Sequence, residues 1–558
     1  MQVPLFQGGS YLSSSPRWSA DRTLNLFPEV GESGATRSKM RLRGTPGLSW
    51  FCQLPYGPVR GFWANEYRLF AASGSYLYEI FPNASYAYLG NIGNDASNSP
   101  VQMFANGTQL FIVSAGNCYI HTGVNLIQCV LAQIRGTIKT VSYTAYTRRD
   151  REDVYRPMEG VSSGTTVQWT GGDLFDPAMV GGTIKINGQT KHVLWVSDNR
   201  EFLVVQETDL GSLVDAPYEA DIPVKAKTGA FIDGYFVAAP ESHKYFYISD
   251  LYNGLTWDPL DFAVKEGWPD NIACVLTDHG DLWLMGRETI EVWRNTGNPD
   301  FPFERFLPGF IQQGVVAPFS AVRFADGVAW LGGDTRGRLS AWLARGYQPV
   351  RISTHAIEEQ WASYQAPEIA EAFTYRYEGH EFWQITFPYD EKTWVFDANT
   401  KLWHERSSRA EDNSQKRHRA RCCASVWGKI FAGDWYNGAI YKMTGSAYTD
   451  NGTPILRMRQ APHMLDEMKN HFYSRLQLDV ETGVQVSSPE FNLSWSDDGG
   501  YTFRPPITAT GGDLNEYAKR VVWRRLGKSR DRVFRISSEA PIPHVWIDAY
   551  VDVLPGNS

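Results

Sequence analysis

One phrase recurs along this chain and limits what it can fold into. From Pro58 to Ile80 it reads PVRGFWANEYRLFAASGSYLYEI: a lead-in strand, a polar turn, an apolar strand, a glycine turn and another strand. The same grammar returns at Val101 (VQMFANGTQLFIVSAGNCYIHTG) and again at Thr228, Ala273, Ala321, Ala372 and Cys423. Successive starts lie 43, 127, 45, 48, 51 and 51 residues apart, so only the second interval breaks the period. A unit of this length with three or four short strands cannot bury its own faces, whereas radial stacking of such units does. The pattern predicts a β-propeller of six or seven blades. A single hydrophobic core could not organise 558 residues, and 14% aromatic residues punctuated by 50 glycines suit short strands joined by tight turns. The fold class is therefore all-β.

Residues 1–57 carry Pro, Gly and Ser with little periodicity and read as an ordered arm. Blades occupy 58–134 and 226–447, interrupted at 135–225 by an inserted small β domain whose strands alternate and whose Asn187-Gly188 marks a hairpin. Beyond the last repeat, 448–558 alternates again in RLQLDVETGVQV, PEFNLSWSDDGGYTF and HVWIDAYVDV, a second β domain of sandwich-like type. One short helical stretch is expected at Thr354 to Trp361, capped by Ser353 or Thr354, with Ile357 and Trp361 four apart on one face. The polar run from Arg409 to Arg421 reads as an exposed loop.

A formal charge of -8 argues against a surface that holds nucleic acid throughout, since displacing counterions needs a basic excess. The six cysteines show no CxxC spacing and read as free thiols in a reducing cytosol. No secretory leader is expected from MQVPLFQGGSYLSSSP, and no apolar run approaches a bilayer-spanning length. Asn83 and Asn106 head sequons that are then only turn chemistry. No HExxH, EF-hand, Walker, Rossmann or GxSxG pattern occurs, so no catalytic residue, metal or cofactor is assigned.

The sharpest local motif is an Asp box, S-x-D-x-G-x-T-[WF], carried by Ser496, Asp498, Gly500, Thr502 and Phe503. Sialidase-type propellers use the box as a structural turn, and the same role is expected here. Basic runs occupy 148–156, 416–421 and 519–532. The segment KRHRAR, with Lys416, Arg417, Arg419 and Arg421 and no interleaved acid, is the candidate contact for a partner or for DNA.

Taken together, LNLFPEV...RLRGTPGL, YFYISDLYNGLTWDPLDFAVKEG, VRISTHAIEEQW and LSWSDDGGYTF...VVWRRLGKSRDRVFRI resemble the tail-hub, or nozzle, proteins of short-tailed bacteriophages, also called packaged-DNA stabilisation proteins. The resemblance touches almost the whole chain. It implies a non-enzymatic virion protein, made in the host cytoplasm, that forms a homo-hexameric ring below the portal and its adaptor. It further implies contacts with tail fibre or tailspike and with a plug or needle, and double-stranded DNA passing without sequence recognition. Two other readings compete: a glycan-degrading or glycan-binding propeller, which needs a pocket holding paired carboxylates, and a monomeric WD-like interaction scaffold.

Overall fold

The computed structural model describes residues 5–6, 8–31, 38–141, 165–180, 182–207, 210–333, 338–465, 469–484 and 488–556. The basic run at 148–156 lies outside them. The chain divides into two compact units, one of residues 1–101, 285–292 and 306–558, the other of 102–284 and 293–305.

The first unit shows how the repeat phrase folds. Val59–Ala64, Leu69–Ser73, Tyr76–Ile80 and Tyr86–Asn91 pair in succession as an antiparallel sheet. Leu69–Ser73 is buried at every position, while Tyr86–Asn91 is half-buried or exposed. A strand covered on both faces needs a continuous apolar run, and LFAAS supplies it. In the preceding turn, Asn65 Oδ1 accepts from the amides of Tyr67 and Arg68, the Asx closure that explains the polar residues there.

Sheets of the same four-stranded kind span 322–351 and 371–406 in this unit. The last repeat, Ala420–Val426, Lys429–Asp434 and Ala439–Thr444, supplies three strands, and its fourth is Gly47–Gln53, paired from Ala439↔Gln53 to Thr444↔Gly47. In the second unit, four-stranded sheets span 102–128 and 228–264, and the chain has a further four-stranded sheet at 272–311. Seven blade-like sheets are thus present among the described residues.

Within the first unit, residues 20–53 are built into several sheets. Leu26–Val30 and Met40–Gly44 join Val545–Pro555, His471–Val480 and Val521–Ser529 in one layer. Ala20–Leu24 lies between Trp403–Arg406, the outer blade strand, and Arg457–Gln460, which leads on to Asp531–Ser538, Glu490–Ser496 and Ile507–Thr510. The two layers close on Leu476, Leu478, Leu493, Trp523, Phe534 and Trp546, all nearly or wholly buried. This is a β-sandwich core.

The interrupting segment of the second unit is a closed barrel of six strands, Val130–Val141, Thr165–Gly172, Phe202–Val205, Gln189–Val196, Thr183–Ile186 and Ala216–Pro223. Ile138, Val167, Phe175, Ile184, Leu203 and Tyr218 fill it. Asn187 and Gly188 both take positive φ, 50° and 79°, between the paired residues Ile186 and Gln189, as a tight hairpin requires.

The single α-helix among the described residues is His355–Trp361. Thr354 is its N-cap, accepting from the Ile357 amide, and Ile357 and Trp361 are buried. No helix is long and apolar enough to cross a membrane, and no cluster of three metal-ligating side chains occurs, among the described residues. All six cysteines are free.

Candidate functional site

The segment expected as an exposed loop is mostly built into the last blade. Ser408–Arg409 pairs with Gln415–Lys416 as a short hairpin, only residues 411–414 at its tip are exposed, and Ala420–Val426 is already blade strand. The loop reading fails because the acids that neutralise the arginines come from strands far away in sequence. Arg421 donates from Nε and Nη2 to the Glu371 carboxylate at 2.7 and 2.6 Å, and from Nη2 to the Asn98 carbonyl at 2.6 Å. Arg419 sits 3.9 Å from Asp434 and donates to the Tyr441 hydroxyl at 3.3 Å. Arg417 lies over the Trp435 ring, 3.6 Å from its centroid, and 3.4 Å from Glu391. Burial lowers the Arg417 pKa, with Glu391 opposing.

His418 between them is buried, with Nδ1 3.2 Å from the Gln384 amide nitrogen, and burial holds its pKa well below the ordinary value. Lys416 alone of the four cations makes no ion pair among the described residues. With Arg409, Arg417, Arg419, Trp435 and Tyr436 it lines an open cavity of about 300 Å³. The arrangement holds three cations in fixed pairs and presents one lysine and two aromatic rings at a cavity mouth.

The Asp box forms the turn after Glu490–Ser496. Ser496 Oγ donates to Asp498 Oδ1 at 2.6 Å and accepts from the Gly500 amide at 2.8 Å. Asp498 accepts from the amides of Tyr501 and Thr502 at 3.1 and 3.0 Å and from the Thr502 hydroxyl at 2.5 Å. The Ser496 and Thr502 hydroxyls hold the Asp498 carboxyl well below the usual carboxylate range. Phe503 packs under the Arg535 guanidinium, 3.4 Å from ring centroid to charge. Gly499 and Gly500 take φ of 81° and 93°, and a side-chain carbon on Gly500 would meet Ala20 and Pro16. The motif's polar groups are spent on one another, in a turn laid against residues 16–20.

Sequence reading missed a set of buried and half-buried polar residues that hold the chain at Gly9, Arg22, Thr23 and Pro46. Arg22 makes a two-point pair with Glu405, both contacts 2.7 Å. Arg459 donates to the Gly9 carbonyl at 3.0 Å and the Thr23 hydroxyl at 2.7 Å, and Arg406 to the Pro46 carbonyl at 2.7 Å. Arg532, at the end of the third basic run, is buried and donates to Asp497 and to the Leu526 carbonyl at 2.7 and 2.6 Å, beneath the Tyr473 ring. Arg532 belongs to the next strand, Asp531–Ser538, and only the place of the turn after Ser529 could have separated it from its exposed neighbours.

Comparison with known proteins bears on what this frame serves. No curated protein matches the chain. Similar solved structures include Hsv2 of Kluyveromyces lactis (8% identity, 62% of this chain and 97% of that one, TM-score 0.24). Others are the Pan2 WD40 domain of Neurospora crassa (9%, 72% and 96%, 0.26) and apo AztD of Citrobacter koseri (11%, 71% and 95%, 0.27). Scores this low carry no functional argument. The family model described as bacteriophage P22 Gp10, beta-propeller, matches residues 1–180 and 178–448, and the one described as bacteriophage P22 Gp10, beta-sandwich, matches 457–553. With both parts matched along nearly its whole length, the chain belongs to the bacteriophage P22 Gp10 family, the tail-hub proteins of short-tailed phages, and is a structural component of a phage tail.

Proposed function

We propose that the protein assembles as a homo-hexameric ring beneath the portal and its adaptor, extends the DNA channel, and retains packaged DNA until ejection. The observation that carries this reading is the match of both family models, propeller and sandwich, in one chain. Two features support it. The excess of acid over base, 61 against 53 residues, suits a wall past which DNA slides, because a surface of like charge does not grip phosphate. Moreover, Arg417, Arg419 and Arg421 are committed to acids or rings of the last blade and of the 371–406 blade, so the chain's densest basic segment holds the frame. Lys416 and the cavity beside it remain as the part of that segment offered to a partner such as the adaptor, tail fibre or needle. Synthesis in the host cytoplasm agrees with six unpaired thiols.

The test is to mix the purified chain with its phage's portal and adaptor and image the product by electron microscopy. A sixfold ring below the adaptor, with a negative potential along its axis, is expected. Absence of the chain from the complex, or a basic lumen, would refute the reading.

A further inference from the structure

The third basic run splits into a buried arginine and an exposed strip. Arg520, Arg524, Arg525, Lys528 and Arg530 are all exposed, and among the described residues none makes a side-chain hydrogen bond or ion pair. Three of them lie on Val521–Ser529, the edge strand of its sandwich layer. One or two cations suffice to keep such an edge from pairing with another strand. Five, four of them arginines suited to two-point binding of carboxylates, call for a partner. The strip is also not purely charged. Lys528 stands opposite Phe472, which stands opposite Leu554, so the three side chains are neighbours on one face, and Phe472 and Leu554 are 48% and 62% exposed. Phosphate recognition gives no reason to expose a phenylalanine and a leucine, whereas a protein interface does.

The complementary surface is on the same chain. Asn253–Val264 is the last strand of its blade, and its register breaks between the pairs Tyr247↔Phe262 and Ser249↔Trp257. Residues 258–261 are the extra residues at that break. Leu260, at the bulge, is 80% exposed, and Leu255 and Phe262 are 37% and 43% exposed. Asp258 and Asp261 flank Leu260, with Asp250 near enough to act on Asp261. None of the three carboxylates has an ion-pair partner among the described residues. A strand that shows acids around exposed apolar side chains matches one that shows cations around exposed apolar side chains.

We infer that the basic strand Val521–Ser529 of one copy docks on the acidic outer strand Asn253–Val264 of the next, as the repeating contact between copies. The inference rests on the ring reading and deepens it. The two patches differ, so the contact is head-to-tail, and such contacts generate a ring when the rotation closes.

A charge swap tests it. One variant carries Arg524→Glu with Lys528→Glu, the other Asp258→Lys with Asp261→Lys, and Asp258→Asn with Asp261→Asn serves as a milder control that keeps the acceptor for the Leu260 amide. Folding is checked by circular dichroism, and self-association by light scattering and on portal–adaptor complexes. Each reversed variant is expected to need at least about tenfold higher concentration than wild type to assemble. An equimolar mixture of the two should assemble again in alternation, as should a chain carrying all four changes. Reversed variants that assemble like wild type, or a mixture that fails to recover, would overturn the inference while leaving the ring intact. Reversed variants that assemble normally but lose DNA from filled capsids would assign the strip to DNA and equally overturn it. Wild-type chain that never assembles refutes the ring reading, and the contact falls with it.

Discussion

Replacing Arg421 by methionine tests whether the basic segment is frame or contact. The change removes both hydrogen bonds to Glu371 and leaves that carboxylate, 15% exposed, without its cation. Breaking a buried pair on one side costs about 3–5 kcal/mol, because the remaining charge stays desolvated and unpaired. At about 1.4 kcal/mol per decade this predicts that the amides of Glu371–Tyr377 and Ala420–Val426 exchange roughly 10²- to 10³-fold faster or more, read by hydrogen-exchange mass spectrometry. Burial opposes the Arg421 charge and Glu371 favours it, with a net rise in pKa, so the guanidinium stays charged. Adding Glu371→Leu removes the stranded carboxylate and is expected to restore most of the protection, giving a positive coupling in the double-mutant cycle. Unchanged exchange in Arg421→Met, together with loss of assembly on the portal–adaptor complex, would refute the reasoning and return Arg421 to the partner surface.

Three further outcomes are expected. Arg532→Ala should cost the sandwich about 3–5 kcal/mol, seen as faster exchange in Asp531–Ser538, whereas Arg524→Ala, on the exposed face of the same run, stays within about 0.5 kcal/mol. His404 is fully buried, neither ring nitrogen has a hydrogen-bond partner, and burial lowers its pKa to about 3. The unfolded chain therefore takes up that proton first, and His404 should contribute a fall of about 1.4 kcal/mol per pH unit as pH drops from 6.5 toward 3, a share of the slope that His404→Leu removes in thermal melts. Asp498→Ala should free the Tyr501 and Thr502 amides and raise proteolytic cleavage at 499–503, with Asp498→Asn intermediate in the same digest.

Much of the propeller is readable locally because a blade's first three strands are consecutive and each turn carries its own chemistry. The starts at 58, 101, 228, 273, 321, 372 and 423 fall within three residues of the first strand of each blade sheet, such as Val59, Thr228 and Ala420. What no local pattern showed was the fourth strand of the last blade, since Gly47–Gln53 pairs with residues far along the chain and its own segment is punctuated by glycine and proline. The basic segment misled for a related reason. KRHRAR looks uncompensated in one dimension, and its acids, Glu371, Glu391 and Asp434, are brought to it only by the strand order. In the run 519–532 the sequence shows seven cations and one acid, and the turn between Val521–Ser529 and Asp531–Ser538 leaves Arg532 inside and the other six outside.

The closing strand also sets a clock. Gly47–Gln53 leaves the ribosome early, yet its partner Ala439–Thr444 is made roughly 390 residues later, about 20–80 s of synthesis at 5–20 residues per second. Met40–Gly44, already paired with Leu26–Val30, waits longer still for its other neighbour, Val545–Pro555. For that interval the apolar segment GLSWFCQ is nascent chain with no edge to join, exposed to mispairing with the first blades or with another nascent chain. The sandwich, whose two layers close only when these last strands arrive, therefore offers no finished surface, its basic strand included, until synthesis ends.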